Sequence, residues 1–137
     1  MATGLSAYLS FQGDAREAMA FYRDVFGGTL TSNTFAEFGQ TDPAIADQIM
    51  HSQLETPSGY TLMGADTPPG MEYVPGRTVT LILYGDDEAE LRGYWDGLVE
   101  GGTVDTALEK QMWGDTYGQV TDKFGIVWMM NIAAATG

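Results

Sequence analysis

Cysteine is absent from the 137 residues, which excludes a disulfide framework, a thiolate metal site and a cysteine nucleophile. Histidine occurs once, as His51, and it is the only side chain whose ordinary pKa lies between pH 5 and 8. Positive charge is scarce: six Lys and Arg stand against 19 Asp and Glu, a formal net charge of -13. Such a field repels phosphate backbones and anionic lipid surfaces, so neither nucleic acid nor a membrane is an expected partner. No stretch approaches the 18 or so apolar residues that a membrane span needs. The start, Met1 followed by Ala2, Thr3, Gly4, Leu5 and Ser6, lacks the basic and apolar run of a signal peptide. The expected location is the cytoplasm.

What is present suits a globular protein. At 14.8 kDa the chain fits one domain, and area scaling lets a protein of this mass bury about two-thirds of its surface. Forty-four per cent of its residues are hydrophobic and 12% aromatic, well outside the composition of a disordered chain. Eighteen glycines without a Gly-X-Y period predict many turns and caps.

The pattern repeats. Leu5 to Phe11 alternates with a period of two, as a half-buried strand does. Asp14 and Glu17 then offer a capping box, Ala15, Ala18, Met19, Tyr22, Val25 and Phe26 recur at helical spacing, and Gly27-Gly28 stops the helix. Thr29 to Phe38 reads as a second strand and Gly39 to Asp47 as a loop. Gln48 to Glu55 and Tyr60 to Ala65 flank Thr56-Pro57-Ser58-Gly59 as a hairpin. Asp66 to Arg77 has the composition of a linker.

Roughly 73 residues on, the order returns. Thr78 to Tyr84 is an apolar strand, Asp87 and Glu90 form a capping box, and Leu91, Tyr94, Trp95, Leu98 and Val99 make the helical stripe. Gly101-Gly102 ends it, Gln111 to Asp122 reads as a strand, Lys123-Phe124-Gly125 as a tight turn, and Ile126 to Ile132 as the last strand. The expected architecture is α+β: one domain over residues 1–137, with a β-α-β-β-β module at about 1–66, a linker at 67–77 and a second module at about 78–133.

These residues resemble the PhnB-like branch of the vicinal oxygen chelate (glyoxalase, bleomycin resistance and dioxygenase) superfamily. The resemblance is carried by Tyr8 to Ala15, Phe21 to Gly28, Met50-His51, Leu62 to Asp66, Trp113 to Gly118 and Asp122 to Trp128, in that order. Lys123 stands where the branch has proline. The resemblance implies a glyoxalase-like fold in which two paired modules form curved sheets around a cavity, and a homodimer. It implies that metal-ligand places fall near Ser6 or Ala7, at His51 or Gln53, at Thr80 and near Met129. Alanine, methionine and a lone hydroxyl do not replace imidazole or carboxylate donors, so neither a tightly bound metal nor another cofactor is expected.

The candidate site follows from residue chemistry. His51 shares a strand face with Gln53, which could fix its tautomer or join it in gripping a polar ligand, and His51 is the candidate base. Met50, Ser52 and Leu54 are expected on the opposite face, under a helix, with Ile49 beside His51. Aromatic and thioether side chains, Tyr117, Trp128 and Met129 among them, suit an apolar pocket as well as a core. Trp113 lies in the loop Met112-Trp113-Gly114-Asp115, where covering a cavity or a subunit contact explains an indole better than strand packing does. The expected partner is a small, partly apolar organic ligand bound by His51, Gln53, Trp113, Tyr117, Trp128 and Met129. The alternative is a lyase, isomerase or dioxygenase of glyoxalase type, with a weak metal site or His51 as base.

Overall fold

The computed structural model describes residues 3–68, 70–76 and 78–134. It divides into two compact units, residues 1–75 and 76–137. The first unit runs β1 (Ala7–Phe11), α1 (Ala15–Phe26), β2 (Thr29–Thr34), a short 3-10 turn (Ala36–Phe38), β3 (Ile49–Glu55) and β4 (Thr61–Asp66). The second runs β5 (Leu81–Gly85), α2 (Glu88–Val99), β6 (Thr103–Lys110), β7 (Thr116–Thr121) and β8 (Val127–Ile132). Each unit therefore has the β-α-β-β-β order that the repeat predicts.

The two sheets share one topology: β1-β4-β3-β2 in the first unit and β5-β8-β7-β6 in the second. In each, the first and last strands pair in parallel and the other pairs are antiparallel. One helix lies on one face of each sheet. In the first unit Leu9, Phe11, Leu54 and Leu62 are buried with Ala15, Ala18, Met19, Tyr22 and Phe26 of α1. The alanines let α1 sit close, and a Cβ added at Gly64 would come within 2.9 Å of Met19 Sδ. In the second, Leu91, Trp95 and Leu98 are buried with Val120, Trp128, Met130 and Ile132, and Gly118 makes room for the Trp95 indole. Each large apolar side chain buried this way contributes about 1.5–3 kcal/mol.

The Gly-Gly pairs have a second role besides ending helices. A Cβ at Gly28 would stand 2.0 Å from the carbonyl oxygen of Glu55, and one at Gly102 would stand 2.5 Å from that of Thr121. In both units the chain entering the second strand passes against its neighbour's backbone too closely for any side chain. The pair is thus part of the sheet as much as of the helix.

Four local expectations are corrected. Asp87 caps α2 by accepting the Glu90 amide at 3.1 Å, but the Asp14 side chain caps nothing. At φ -115° and ψ 18° its backbone is outside the extended region that lets an N-cap carboxylate reach the first turn. The carboxylate of Asp66 does that work. The strand expected over Thr29 to Phe38 ends at Thr34, because Glu37 folds back onto the Thr34 amide and hydroxyl and starts the turn. Residues 111–115 are a turn rather than strand, closed by the Gln111 amide on the Asp115 carbonyl at 2.7 Å. The fourth is the phase of β3. Its pairing with β2 slips between Asn33 and Thr34, where the partners are His51 and Ile49, so Met50 is the extra residue of a bulge. Ile49 is consequently buried with Ser52 and Leu54, and Met50 is released from that side.

Candidate functional site

The face of each sheet away from its helix carries the sequence-predicted site. In the first unit β1 turns Leu9 and Phe11 to the core, so Tyr8 and Ser10 point the other way. On β3, Ser52 and Leu54 are buried and His51 and Gln53 are half-buried on the opposite side. Register assembles these into rows. Met63 of β4 pairs with both Tyr8 and Gln53, and Gln53 pairs with Thr31. The neighbouring row holds Ser10 opposite Ala65, and His51 opposite Asn33.

Tyr8 and His51 meet. The phenol oxygen lies 3.3 Å from His51 Nδ1, and the two ring centroids are 5.9 Å apart at a tilt of 32°. Partial burial pushes the Tyr8 phenol above its ordinary value. Gln53 donates its side-chain amide to Glu55 Oε1 at 3.2 Å; a carboxylate only accepts, so the Gln53 amide carbonyl faces away from it. Beside Tyr8 opens a cleft of about 370 Å³, lined by Ser10 and Met50 from the sheet and by Met71, Tyr73 and Val74 from the segment after β4. In the sequence Tyr8 counts only as one of many aromatic side chains able to line a pocket, and neither its contact with His51 nor Ser10 and this cleft is singled out. Alternation along β1 puts Tyr8 and Ser10 on one face of the strand, and the sheet order β1-β4-β3-β2 makes that the face of His51.

Asp66 closes the first unit behind this face. It is 2% exposed, and its carboxylate accepts the amides of Gly13 at 2.7 Å, Ala15 at 3.0 Å and Ile49 at 2.9 Å. It therefore fixes the start of α1 and the start of β3 at once.

The second unit repeats the arrangement with other residues. Met129 pairs with Ile82 and Gln119, and Gln119 with Thr106; Asn131 pairs with Tyr84 and Tyr117. Gln119 and Met129 thus hold the positions that Gln53 and Met63 hold in the first unit, and Tyr117 holds that of His51. Tyr117 and Met129 share this helix-free face. Trp128 does not join them. Adjacent strand residues point to opposite faces, and Trp128 is buried on the α2 side with its indole N–H donating to Asp122 Oδ2 at 2.9 Å.

Trp113 stands apart on the turn between β6 and β7. It is 64% exposed and its neighbour Met112 97% exposed. The turn is anchored by Asp115, whose carboxylate accepts from the Asn131 side chain at 3.1 Å and the Ala134 amide at 2.9 Å. Those bonds, Asn131 foremost, hold the Asp115 carboxyl below its ordinary range. Because its folded pKa is depressed, its stabilising effect is full above the ordinary carboxylate range and disappears as pH falls through the folded value. Unfolding midpoints of the wild type and Asp115→Asn should therefore differ most near neutral pH and converge in acid. A gap that is constant from pH 7 to 3 would refute this account.

The donors at the metal places implied by the resemblance do not fit a divalent transition metal. Ser6 Oγ donates to the Thr61 carbonyl at 2.7 Å, while Ala7 and Met129 offer no donor of the required type. Among the described residues no group of three or more His, Asp or Glu side chains could hold a metal ion. None of the helices described is long and apolar enough to cross a membrane.

Comparisons with known proteins agree with the fold. Residues 4–130 match the family model of the Glyoxalase/Bleomycin resistance protein/Dioxygenase superfamily. Protein YjdN of Escherichia coli (strain K12) is 29% identical over 93% of this chain and 94% of its own length. The crystal structure of protein PA1353 from Pseudomonas aeruginosa superposes with a TM-score of 0.86 at 32% identity, covering 98% of this chain and 100% of that one. A PhnB protein from Bacillus cereus, at 21% identity, shares the fold with a TM-score of 0.75 over 96% of this chain and 100% of its own.

Proposed function

The chain belongs to the Glyoxalase/Bleomycin resistance protein/Dioxygenase superfamily, and from that premise we propose that it is a PhnB-like cytoplasmic homodimer that binds a small, partly apolar organic molecule without a tightly held metal. The observation that carries the reading is the composition of the helix-free faces. Each holds a thioether and a glutamine side by side, Met63 with Gln53 and Met129 with Gln119, beside a ring that can hydrogen-bond, His51 or Tyr117. A solvated face has no use for methionine in its middle, and a dry core would not hold glutamine without partners. A mixed surface of this kind suits a ligand with an apolar body and a few polar groups. Trp113, exposed on an anchored turn, serves the ligand or the dimer rather than the core.

The experiment is a titration of purified protein with a panel of small aromatic compounds, read by tryptophan fluorescence and thermal midpoint, with elemental analysis alongside. At least one compound should bind saturably, with no stoichiometric zinc, nickel or iron in the dialysed protein. His51→Ala and Gln53→Ala should each weaken binding by about tenfold, as the loss of one ligand hydrogen bond does. Trp113→Ala should also weaken binding while shifting stability by less than about 0.5 kcal/mol. Binding that appears only in protein carrying one metal per chain would overturn the reading.

A glyoxalase-type lyase, isomerase or dioxygenase with His51 as base is the second reading. It is favoured by one observation: His51 is half-buried and only its Nδ1 is engaged among the described residues, which leaves Nε2 for a substrate.

A further inference from the structure

The Tyr8 to His51 contact says which kind of ligand the first unit accepts. Two arrangements satisfy a phenol oxygen 3.3 Å from Nδ1: the phenol donates to a bare Nδ1, or a protonated Nδ1 donates to the phenol. The first is favoured by chemistry. An imidazole nitrogen is a strong acceptor and a phenol a good donor, whereas a phenol oxygen is a weak acceptor. The Tyr8 proton is further retained because burial raises the phenol's pKa. With Nδ1 accepting, the neutral ring must carry its proton on Nε2.

Nε2 has no partner among the described residues, and it is not one of the sealed polar atoms of the chain. It therefore stands as a hydrogen-bond donor open to a ligand. The charge of its surroundings restricts that ligand. Arg16 and Arg23 of the same unit both belong to α1, on the other face of the sheet; Arg16 donates one N–H to the Asp47 carbonyl at 2.8 Å, and Arg23 lies 3.8 Å from Asp24. The charged groups here are acidic: Glu55 is bonded to Gln53, and Asp66 and Glu72 are among the residues that line the cleft. A carboxylate or phosphate would enter a net field of -13, and no guanidinium or ammonium is among the residues that line the cleft.

We propose that Tyr8 is a positioning residue that holds His51 as an Nε2–H donor, and that the site beside it selects uncharged molecules presenting a carbonyl oxygen on an apolar body. The proposal rests on the small-molecule binding reading and makes it more specific. It also separates the two readings of His51, since a ring already protonated on Nε2 is a donor there and not a base.

The single histidine makes the test clean, because a protein labelled with ¹⁵N-histidine gives one ring. In alkaline buffer, at about pH 8.5, long-range proton–nitrogen spectra should show a protonated Nε2 and an Nδ1 shifted as a hydrogen-bonded acceptor. Tyr8→Phe, at a half-exposed position, should return Nδ1 to the shift of a free acceptor without unfolding the protein. Acetophenone should then move the Nε2 resonance saturably, and benzoate, the same body with a charge, should not. Tyr8→Phe should weaken acetophenone by roughly three- to tenfold, the worth of one ordered hydrogen bond. A wild-type ring protonated on Nδ1, or an Nδ1 shift indifferent to Tyr8→Phe, overturns the positioning role. A fixed ring that prefers benzoate, or ignores acetophenone, overturns the ligand class, while the broader binding reading stands or falls on the aromatic panel alone.

Discussion

Asp66→Ala should cost the first unit about 3–5 kcal/mol, the largest loss expected of any single side chain here. Three backbone amides, of Gly13, Ala15 and Ile49, end on one buried carboxylate. Hydrogen bonds to a charged group are worth about 1.5–3 kcal/mol each in net terms, and a buried donor left unpaired costs about 1–3 kcal/mol. Water entering the vacated space offsets part of that sum. Asp66→Asn keeps the shape and one acceptor oxygen, so the Gly13 and Ala15 amides stay satisfied while the new NH₂ meets the Ile49 amide donor to donor. Its loss should be smaller, about half. Urea denaturation at unchanged m-value measures both. A loss below about 1 kcal/mol for Asp66→Ala would mean that these amides find other partners.

Gly28→Ala should destabilise by about 2–4 kcal/mol, more than any other single methyl added to this chain. Two costs coincide. The residue sits at φ 105°, where a side chain is strained by about 1–3 kcal/mol, and its Cβ would lie 2.0 Å from the Glu55 carbonyl oxygen, so one strand must move. Gly59→Ala is the control. Gly59 has φ 95° but open space around it, so it isolates the conformational cost from the clash. Equal losses at both positions, measured by thermal or urea unfolding, would show the clash to be relieved for free.

The sequence made the repeat legible because its signals are local. Helical stripes, an Asp three residues before a Glu, and paired glycines are read within one turn of chain. The α+β class and eight strands followed from them and are observed. What local reading missed is carried by distant partners. Asp66 looked like the first residue of a linker, since the amides it serves belong to residues 13, 15 and 49. Asp14 has the right neighbours for a cap and the wrong backbone for one. Ile49 and Met50 exchanged roles at a bulge set by how β2 pairs with β3, and nothing in Gln48 to Glu55 announces that slip.

The site was legible in part for the same reason. Alternation put His51 and Gln53 on one face, and it held beyond the bulge. The same rule separates Trp128 from Met129, because neighbours on a strand cannot point the same way. Tyr8 was countable among the aromatic residues but its hydroxyl could not be paired with His51 until β1 was known to lie at the edge of the sheet that holds β3.

The parallel pairing of first and last strands sets a clock on synthesis. β1 has no strand to bond until β4 exists, because in the finished sheet its neighbour is β4. From Phe11 to its partner Asp66 the ribosome must add roughly 55 residues, about 3–11 s at 5–20 residues per second. Through that interval Leu9, Phe11 and the apolar side of α1 have no completed sheet to cover them. The second unit repeats the wait between Gly85 and Ile132. Nascent chains stalled just short of β4 should therefore lean on holdase chaperones, and those released a few residues beyond it should not.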